Sequence, residues 1–287
     1  MKFAVVAHRR SATNEALVAA ARSYGIDAEV LEPQLALAVL RPGDVALARL
    51  DVRDELDGIE SGTGELETLA ADGVDVLNPP RALVAAHDKL LTAGVLRHAG
   101  LPHPSTALLS STVPAVMPEL PVVLKPRFGS WGRDIELCTT PEELGAALAR
   151  VRSAHWFQEH GVIAQELVEP MGWDLRVVVS GGRVVGSARR VAQPGEWRTN
   201  AALGATVESA DAPPLACELA LAAVAAVGAD LAGVDLLPTR NGFVVIEVNG
   251  AVDFRPVYAP AGNPYEDAIV ALLDAVAQRR PAALAAV

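Results

Sequence analysis

Apolar positions in the first eighty residues alternate between strand-length runs and helical spacing. Residues 2–7 form a short apolar run, and 14–24 carry apolar side chains at helical intervals through Leu17, Ala20, Ala21 and Tyr24, closed by Gly25. Strands are expected again at 28–31, 45–50 and 74–77, with a helix at 66–71 stopped by Gly73. This alternation predicts a parallel sheet covered by helices on both faces. The turn after the first strand, His8-Arg9-Arg10-Ser11-Ala12-Thr13, lacks the glycines that let a backbone approach a pyrophosphate, so a dinucleotide fingerprint is absent.

Asn78-Pro79-Pro80 marks the first border, because two prolines stop the strand and forbid immediate helix. A helix is expected over 82–98, ended by Gly100 and Pro102, and then a loop marked by Pro114, Pro118 and Pro121. The pattern continues with a strand at 122–125, a glycine-containing loop at 127–133 and a strand at 135–138. Pro141 opens a helix to 151, followed by a strand at 162–167. Two hairpins come next: 175–179 with 183–188 around Ser180-Gly181-Gly182, and 233–238 with 243–249 around Thr239-Arg240-Asn241-Gly242. Between them an alanine-rich helix is started by Asp211 with Pro213-Pro214 and stopped by Gly228. The tail at 281–287 reads as frayed.

Composition narrows the function classes. An apolar fraction of 51% with dispersed charge excludes a disordered chain. The longest apolar stretch, 215–237, is broken by Glu218 and Asp230, which excludes a membrane span, and the run at 3–7 is too short for a secretory signal. Cys138 and Cys217 make neither a disulfide framework nor a zinc site of the usual ligand count, so a cytoplasmic setting is expected. A net charge of −11 repels nucleic acid, so no nucleic-acid or membrane partner is expected, and any anionic ligand must be held by local cations.

The last hairpin carries the clearest chemistry. If its loop is Arg240, Asn241 and Gly242, then Thr239 pairs with Phe243 and Asp235 falls opposite Glu247, with Asn249 two residues on along the same face. Val234, Leu236, Val244, Ile246 and Val248 make the other, apolar face. Facing like charges destabilise a sheet unless they are neutralised, and the oxygens of Asp, Glu and Asn suit magnesium. A solvated edge whose acids keep it soluble is the competing reading of the hairpin alone.

Lys125 ends a buried strand, where its charge needs a partner. The loop Arg127-Phe128-Gly129-Ser130-Trp131-Gly132-Arg133 can close over phosphates, although it is no Walker A loop; a plain hairpin turn with a snorkelling lysine is the alternative. Gln165-Glu166-Leu167-Val168-Glu169 offers backbone groups to a flat heterocycle and an acid to a ribose, or is an ordinary strand exit. Arg176, Arg189, Arg190 and Arg198 lie on adjacent segments, and in so acidic a chain they read as an anion site unless they pair with acids such as Glu208 or Asp211.

In their order these features resemble the ATP-grasp carboxylate–amine ligases over nearly the whole chain, and within them the RimK-type group. The segment Gly129-Ser130-Trp131-Gly132-Arg133 is similar to the LysX-type ligases, which join an amino acid to a carrier protein. The resemblance implies an α/β fold in three parts. They are a Rossmann-like domain at 1–80, a central ATP-grasp subdomain with a phosphate lid at 81–164, and a C-terminal subdomain with the metal site at 165–280, the catalytic part being α+β. It also implies ATP and Mg2+, with Mn2+ as an alternative ion.

On this resemblance Lys89 and Lys125 would hold phosphates beneath a lid of Gly129, Ser130, Trp131, Gly132, Arg133, Asp134 and Ile135. Gln165, Glu166, Leu167, Val168 and Glu169 would border adenine and ribose, and Asp174 and Asn200 would complete the nucleotide site. Asp235, Glu247 and Asn249 would carry magnesium, Arg176 and Arg198 would be catalytic, and Arg190, Ala201 and Asp253 would meet the amino-acid substrate. After Asn249 the chain reads Gly250-Ala251-Val252-Asp253-Phe254-Arg255 where RimK proper has Pro-Gly. The acid–Phe pair is nearer the LysX type, whereas Arg255 and the residues before the pair fit neither.

The implied reaction joins a carboxylate to an amine through an acyl phosphate, with no His or Cys nucleophile. Glutamate or a related amino acid would be one substrate, a small molecule, peptide or carrier protein the other, and the protein a homodimer or homotetramer. An ATP-binding regulatory module without ligase activity is the competing reading.

Overall fold

The computed structural model describes residues 1–110, 117 and 119–280, so the expectations for Pro114, Pro118 and the tail at 281–287 lie outside the described residues. The first eighty residues fold as expected, into a parallel four-stranded sheet. Its elements are β1 (Lys2–Val6), α1 (Ala12–Ser23), β2 (Asp27–Leu31), α2 (Pro33–Val39), β3 (Val45–Ala48), α3 (Thr63–Ala71) and β4 (Asp75–Leu77), with strand order β2-β1-β3-β4. The near-continuous apolar runs of β1 and β3 are buried because helices cover both faces. Ser11 caps α1 by accepting from Asn14 N, and Pro33 opens α2 at a position where a missing N–H is harmless.

The helix expected over 82–98 is two helices, α4 (Pro80–His87) and α5 (Lys89–His98). Asp88 breaks them apart with an extended backbone, and its side chain caps α5 by accepting from Leu90 N and Leu91 N. Then come β5 (Thr106–Leu109), β6 (Val122–Pro126), β7 (Glu136–Cys138), α6 (Pro141–Val151), α7 (His155–His160) and β8 (Val162–Glu166). The four strands make an antiparallel sheet in the order β5-β8-β6-β7.

The last part holds β9 (Trp173–Ser180), β10 (Arg183–Val191), β11 (Thr206–Ser209), α8 (Pro214–Val227), β12 (Leu231–Thr239), β13 (Gly242–Asn249) and α9 (Pro264–Arg279). Its five-stranded antiparallel sheet runs β11-β10-β9-β12-β13. The fold is therefore mixed α/β, one parallel sheet followed by two antiparallel ones.

Two expected borders move. Gln165 and Glu166 belong to β8, so a cut at 164/165 would divide a strand of the central sheet. Ala86 of α4 and Leu96 of α5 share a core with Val177, Val234 and Val245, so this helix pair packs on the last sheet although it precedes the central one in sequence. A second core joins Phe3, Leu17 and Val45 of the first domain to Val178, Leu231 and Ile269, with α1 and α9 in contact. The N-terminal domain is thereby fixed against the sheet that carries the acids.

Candidate active site

The last hairpin reaches the expected pairing by a different route. Its turn holds two residues, Arg240 and Asn241, between the paired Thr239 and Gly242, one fewer than expected. That shortening would place Asp235 out of step with Glu247, but Ile246 is bulged out and restores Asp235↔Glu247. The bulge also changes which side chains face the core. Val245 takes the buried position expected of Val244 and Ile246, and Ile246 turns with Leu237 to line a cavity.

That cavity lies between the two antiparallel sheets. Lys125 of β6 is 6% exposed, and its Nζ donates to Gln165 Oε1 of β8 at 2.7 Å. Gln165 Nε2 in turn donates to Thr106 Oγ1 at 2.9 Å. Burial, reinforced by the nearby Lys89 and only partly opposed by Glu247, lowers the Lys125 ammonium from 10.5 to about 8. Lys89, at the start of α5, donates to Gly129 O at 2.6 Å and lies 3.5 Å from Glu247 Oε1. Asp88 takes both arms of Arg127, at 2.8 and 2.6 Å, and so ties the root of the glycine loop to the start of α5.

The loop itself lies over the cavity. Gly129, Ser130, Trp131, Gly132, Arg133 and Ile135 line it, whereas Asp134 does not. Gly132 has φ +75°, and a Cβ there would come within 2.9 Å of Asn200 Oδ1, so only glycine lets loop and Asn200 approach this closely. Arg198 donates to Gly132 O and is matched by Glu196 at 2.8 Å. Glu166, Leu167 and Val168 border the same space, but Glu169 is exposed, pairs with Arg240 at 3.3 Å and does not reach the cavity. Composition alone gave no reason to expect the apolar walls, Val123, Leu237, Ile246 and Trp197; strand alternation across two sheets and the bulge bring the first three together, and the loop after β10 adds Trp197.

The acids and arginines beneath the loop form one buried network. Arg176 of β9 lies opposite Asp235 of β12, and Asp174 of β9 lies opposite Arg190 of β10, so the pairs follow from strand register. Arg176 donates to Asp235 at 2.7 and 2.8 Å, and Arg190 adds a further bond to Asp235 Oδ2 at 2.8 Å. Arg190 Nε donates to Asp174 Oδ1 at 2.7 Å, and Thr199 also donates to Asp174. Burial alone would raise the Asp235 carboxyl; the two guanidinium groups outweigh it and hold that carboxyl well below the usual range.

This network bears on two expectations. Asp235 takes Arg176 and Arg190 as partners, which eases its repulsion with Glu247. Three of the four clustered arginines are likewise taken up: Arg176, Arg190 and Arg198 each meet an acid, while Arg189 stacks over Trp173 at 4.4 Å. Among the described residues no group of three or more His, Cys, Asp or Glu side chains could hold a metal ion. Glu247 and Asn249 keep the oxygen chemistry that suits a hard cation. Asn249 Nδ2 is buried with no hydrogen-bond partner, and turning the amide over puts an oxygen in its place.

A second cleft of about 650 Å3 opens beside the first and shares Ser130, Trp131, Arg190, Asn200, Asp235 and Glu247 with it. Arg176, Ala201, Asn249 and Asp253 lie on its walls. The first domain contributes to it: Ser11 Oγ donates to Asp253 Oδ1 at 3.1 Å, and Arg49 donates to Val252 O at 2.8 Å. Arg255, which no expectation placed in a site, lines this cleft as well.

Comparison with known proteins gives a concordant result. A model of the RimK-like ATP-grasp domain matches residues 86–270. A probable alpha-L-glutamate ligase of Aeromonas salmonicida is 32% identical over 225 residues, 76% of this chain and 74% of that protein. The tetrahydromethanopterin:alpha-L-glutamate ligase of Methanosarcina acetivorans is 28% identical over 300 residues, covering 88% of this chain and 93% of its own. Among solved structures, a RimK domain ATP-grasp protein of Sphaerobacter thermophilus superposes with a TM-score of 0.68 at 22% identity, over 94% of this chain and 98% of that one.

Proposed function

The chain belongs to the RimK-like ATP-grasp family of carboxylate–amine ligases, and on that premise we propose that it joins the amine of glutamate or a close relative to a carboxylate by way of an acyl phosphate. The observation that carries this reading is the meeting of Lys89, Lys125 and Glu247 under one glycine loop, beside a second cleft roomy enough for an amino acid. Both curated relatives above are named for glutamate ligation, which favours that amino acid.

In this reading the apolar walls Val123, Leu237 and Ile246 take the adenine, and Lys89 and Lys125 take the phosphates. Magnesium held by Glu247 and Asn249 would offset charge on the phosphate oxygens. The carboxylate oxygen attacks the γ-phosphorus and the bond to the ADP oxygen breaks. The amine nitrogen then attacks the acyl carbon, the bond to phosphate breaks, and the nitrogen gives up a proton. Arg198, next to Gly132 of the loop, faces the charge that develops on the transferring group. The loop excludes water that would otherwise consume the acyl phosphate.

Mg·ATP is expected to raise the thermal transition, by about 2.7 kcal/mol of stability at a hundred times its Kd. ADP release on addition of glutamate and a carboxylate partner then distinguishes a ligase from a nucleotide-binding regulator, which would show the thermal shift alone. Lys125 adds a pH signature. The group binds phosphate as an ammonium and loses its proton near pH 8, so ATP affinity is expected to fall as pH rises through that value. Binding at pH 8 to 9 should take up a proton, read from the buffer dependence of the calorimetric heat. Lys125→Ala should weaken ATP binding and abolish that uptake; an unchanged proton count would remove Lys125 from the phosphate site.

A further inference from the structure

We propose that Arg255 is the residue that selects an acidic side chain on the amino-acid substrate, with Asp253 beside it facing the substrate amine; this deepens the ligase reading and rests on it. The other cations on the wall of the second cleft are matched: Arg176 and Arg190 are held by Asp235 and Asp174. Of the acids, Glu247 lies by Lys89 and Asp253 accepts from Ser11 and Arg49, while Asp51 faces a His87 ring that burial pushes toward its neutral form. Arg255 lines the same cleft and forms no ion pair or side-chain hydrogen bond among the described residues. In a chain of net charge −11, a cation left unmatched at a cleft wall is available to an anionic ligand.

Its backbone is held in place beforehand. Burial alternates along Val252, Asp253, Phe254 and Arg255, with Val252 and Phe254 buried and the two charged residues exposed, as in an extended segment. Phe254 stacks on Tyr265 at 4.9 Å between ring centres. Thr13 Oγ1 bonds both Phe254 N and Phe254 O at 3.2 Å, and Tyr265 Oη donates to Phe254 O at 2.8 Å. Asp253 and Arg255 therefore project together from a fixed base, one pleat repeat or about 7 Å apart. An acid and a base so spaced match an amine and the distal carboxylate of a dicarboxylic amino acid. The α-carboxylate sits closer to the amine than this spacing asks. A guanidinium in the cleft also discriminates against a neutral amide of the same size, because only the carboxylate takes a charge-assisted, two-pronged bond.

The test is binding calorimetry of L-glutamate and L-glutamine to the full chain loaded with Mg·ADP, for wild type, Arg255→Gln and Arg255→Lys. Wild type is expected to bind glutamate at least about tenfold more tightly than glutamine. Arg255→Gln should weaken glutamate by about 10- to 100-fold, shift glutamine little, and so collapse the preference, while Arg255→Lys recovers part of it. Nucleotide affinity measured in the same samples reports that each variant is folded. Equal binding of the two amino acids by wild type, or a preference for glutamate that survives Arg255→Gln, overturns the proposal. Neither result touches the ligase reading, which fails separately if Mg·ATP produces no thermal shift in wild type.

Discussion

Glu247→Gln is expected to leave the thermal transition of the ligand-free protein close to that of wild type while cutting ATP-dependent ADP release by about a hundredfold or more. The two effects separate because Glu247 is partly open to the cleft, and its ion-pair partner Lys89, at 3.5 Å, keeps its bond to Gly129 O when the charge is lost. The amide keeps the size of the side chain but removes the formal charge that a bound cation needs. Turnover measured by ADP release, beside a melting curve, checks both parts. Wild-type turnover in this variant would remove Glu247 from the cation site and leave the proposed phosphate chemistry without its acid.

Asp235→Asn is expected to behave in the opposite way, with a large loss of stability accompanying any loss of activity. Both carboxylate oxygens of Asp235 accept from buried guanidinium groups, Arg176 on one side and Arg190 on the other. Removing the negative charge leaves Arg176 without an acid and Arg190 with Asp174 alone, and breaking such a pair costs about 3–5 kcal/mol. For a chain of this length that corresponds to a fall in Tm on the order of 10 °C. The sign with pH follows from the depressed carboxyl. Its contribution is present above the unfolded-state value of about 3.9 and is lost as pH falls through the lower folded-state value, so wild type and variant should converge in stability in strong acid. An Asp235→Asn protein as stable as wild type at neutral pH would show that the network does not hold the sheet together.

The contrast between these two acids bears on how far such a site can be read from sequence. Hydrophobic periodicity and proline placement located the parallel first sheet, the glycine loop and the two hairpins, because local propensity and turn chemistry act over a few residues. The facing of Asp235 and Glu247 was legible for the same reason, since strand alternation is a short-range rule. Yet the route to it was not: the two-residue turn and the Ile246 bulge offset one another, and a count inward from the turn could not reveal either error. Helix 82–98 likewise looked continuous because its apolar spacing spans Asp88; the break becomes visible only when Arg127, 39 residues later, folds back onto that carboxylate.

Order along the chain sets the inventory and its local arrangement: α/β alternation, a lysine at a strand end, a glycine loop, and acids paired across a hairpin. Which charges meet one another depends on how the three sheets pack and register. Arg176, Arg190 and Asp235 all looked available for ligands, and strand register across β9, β10 and β12 commits them to a buried network. Arg255 looked like an aberration after a familiar motif, and the anchoring of Phe254 against Thr13 and Tyr265 leaves it free on a cleft wall. Electrostatic pairing is long-range in sequence and steep in distance, so it is settled by the fold and not by the neighbours along the chain.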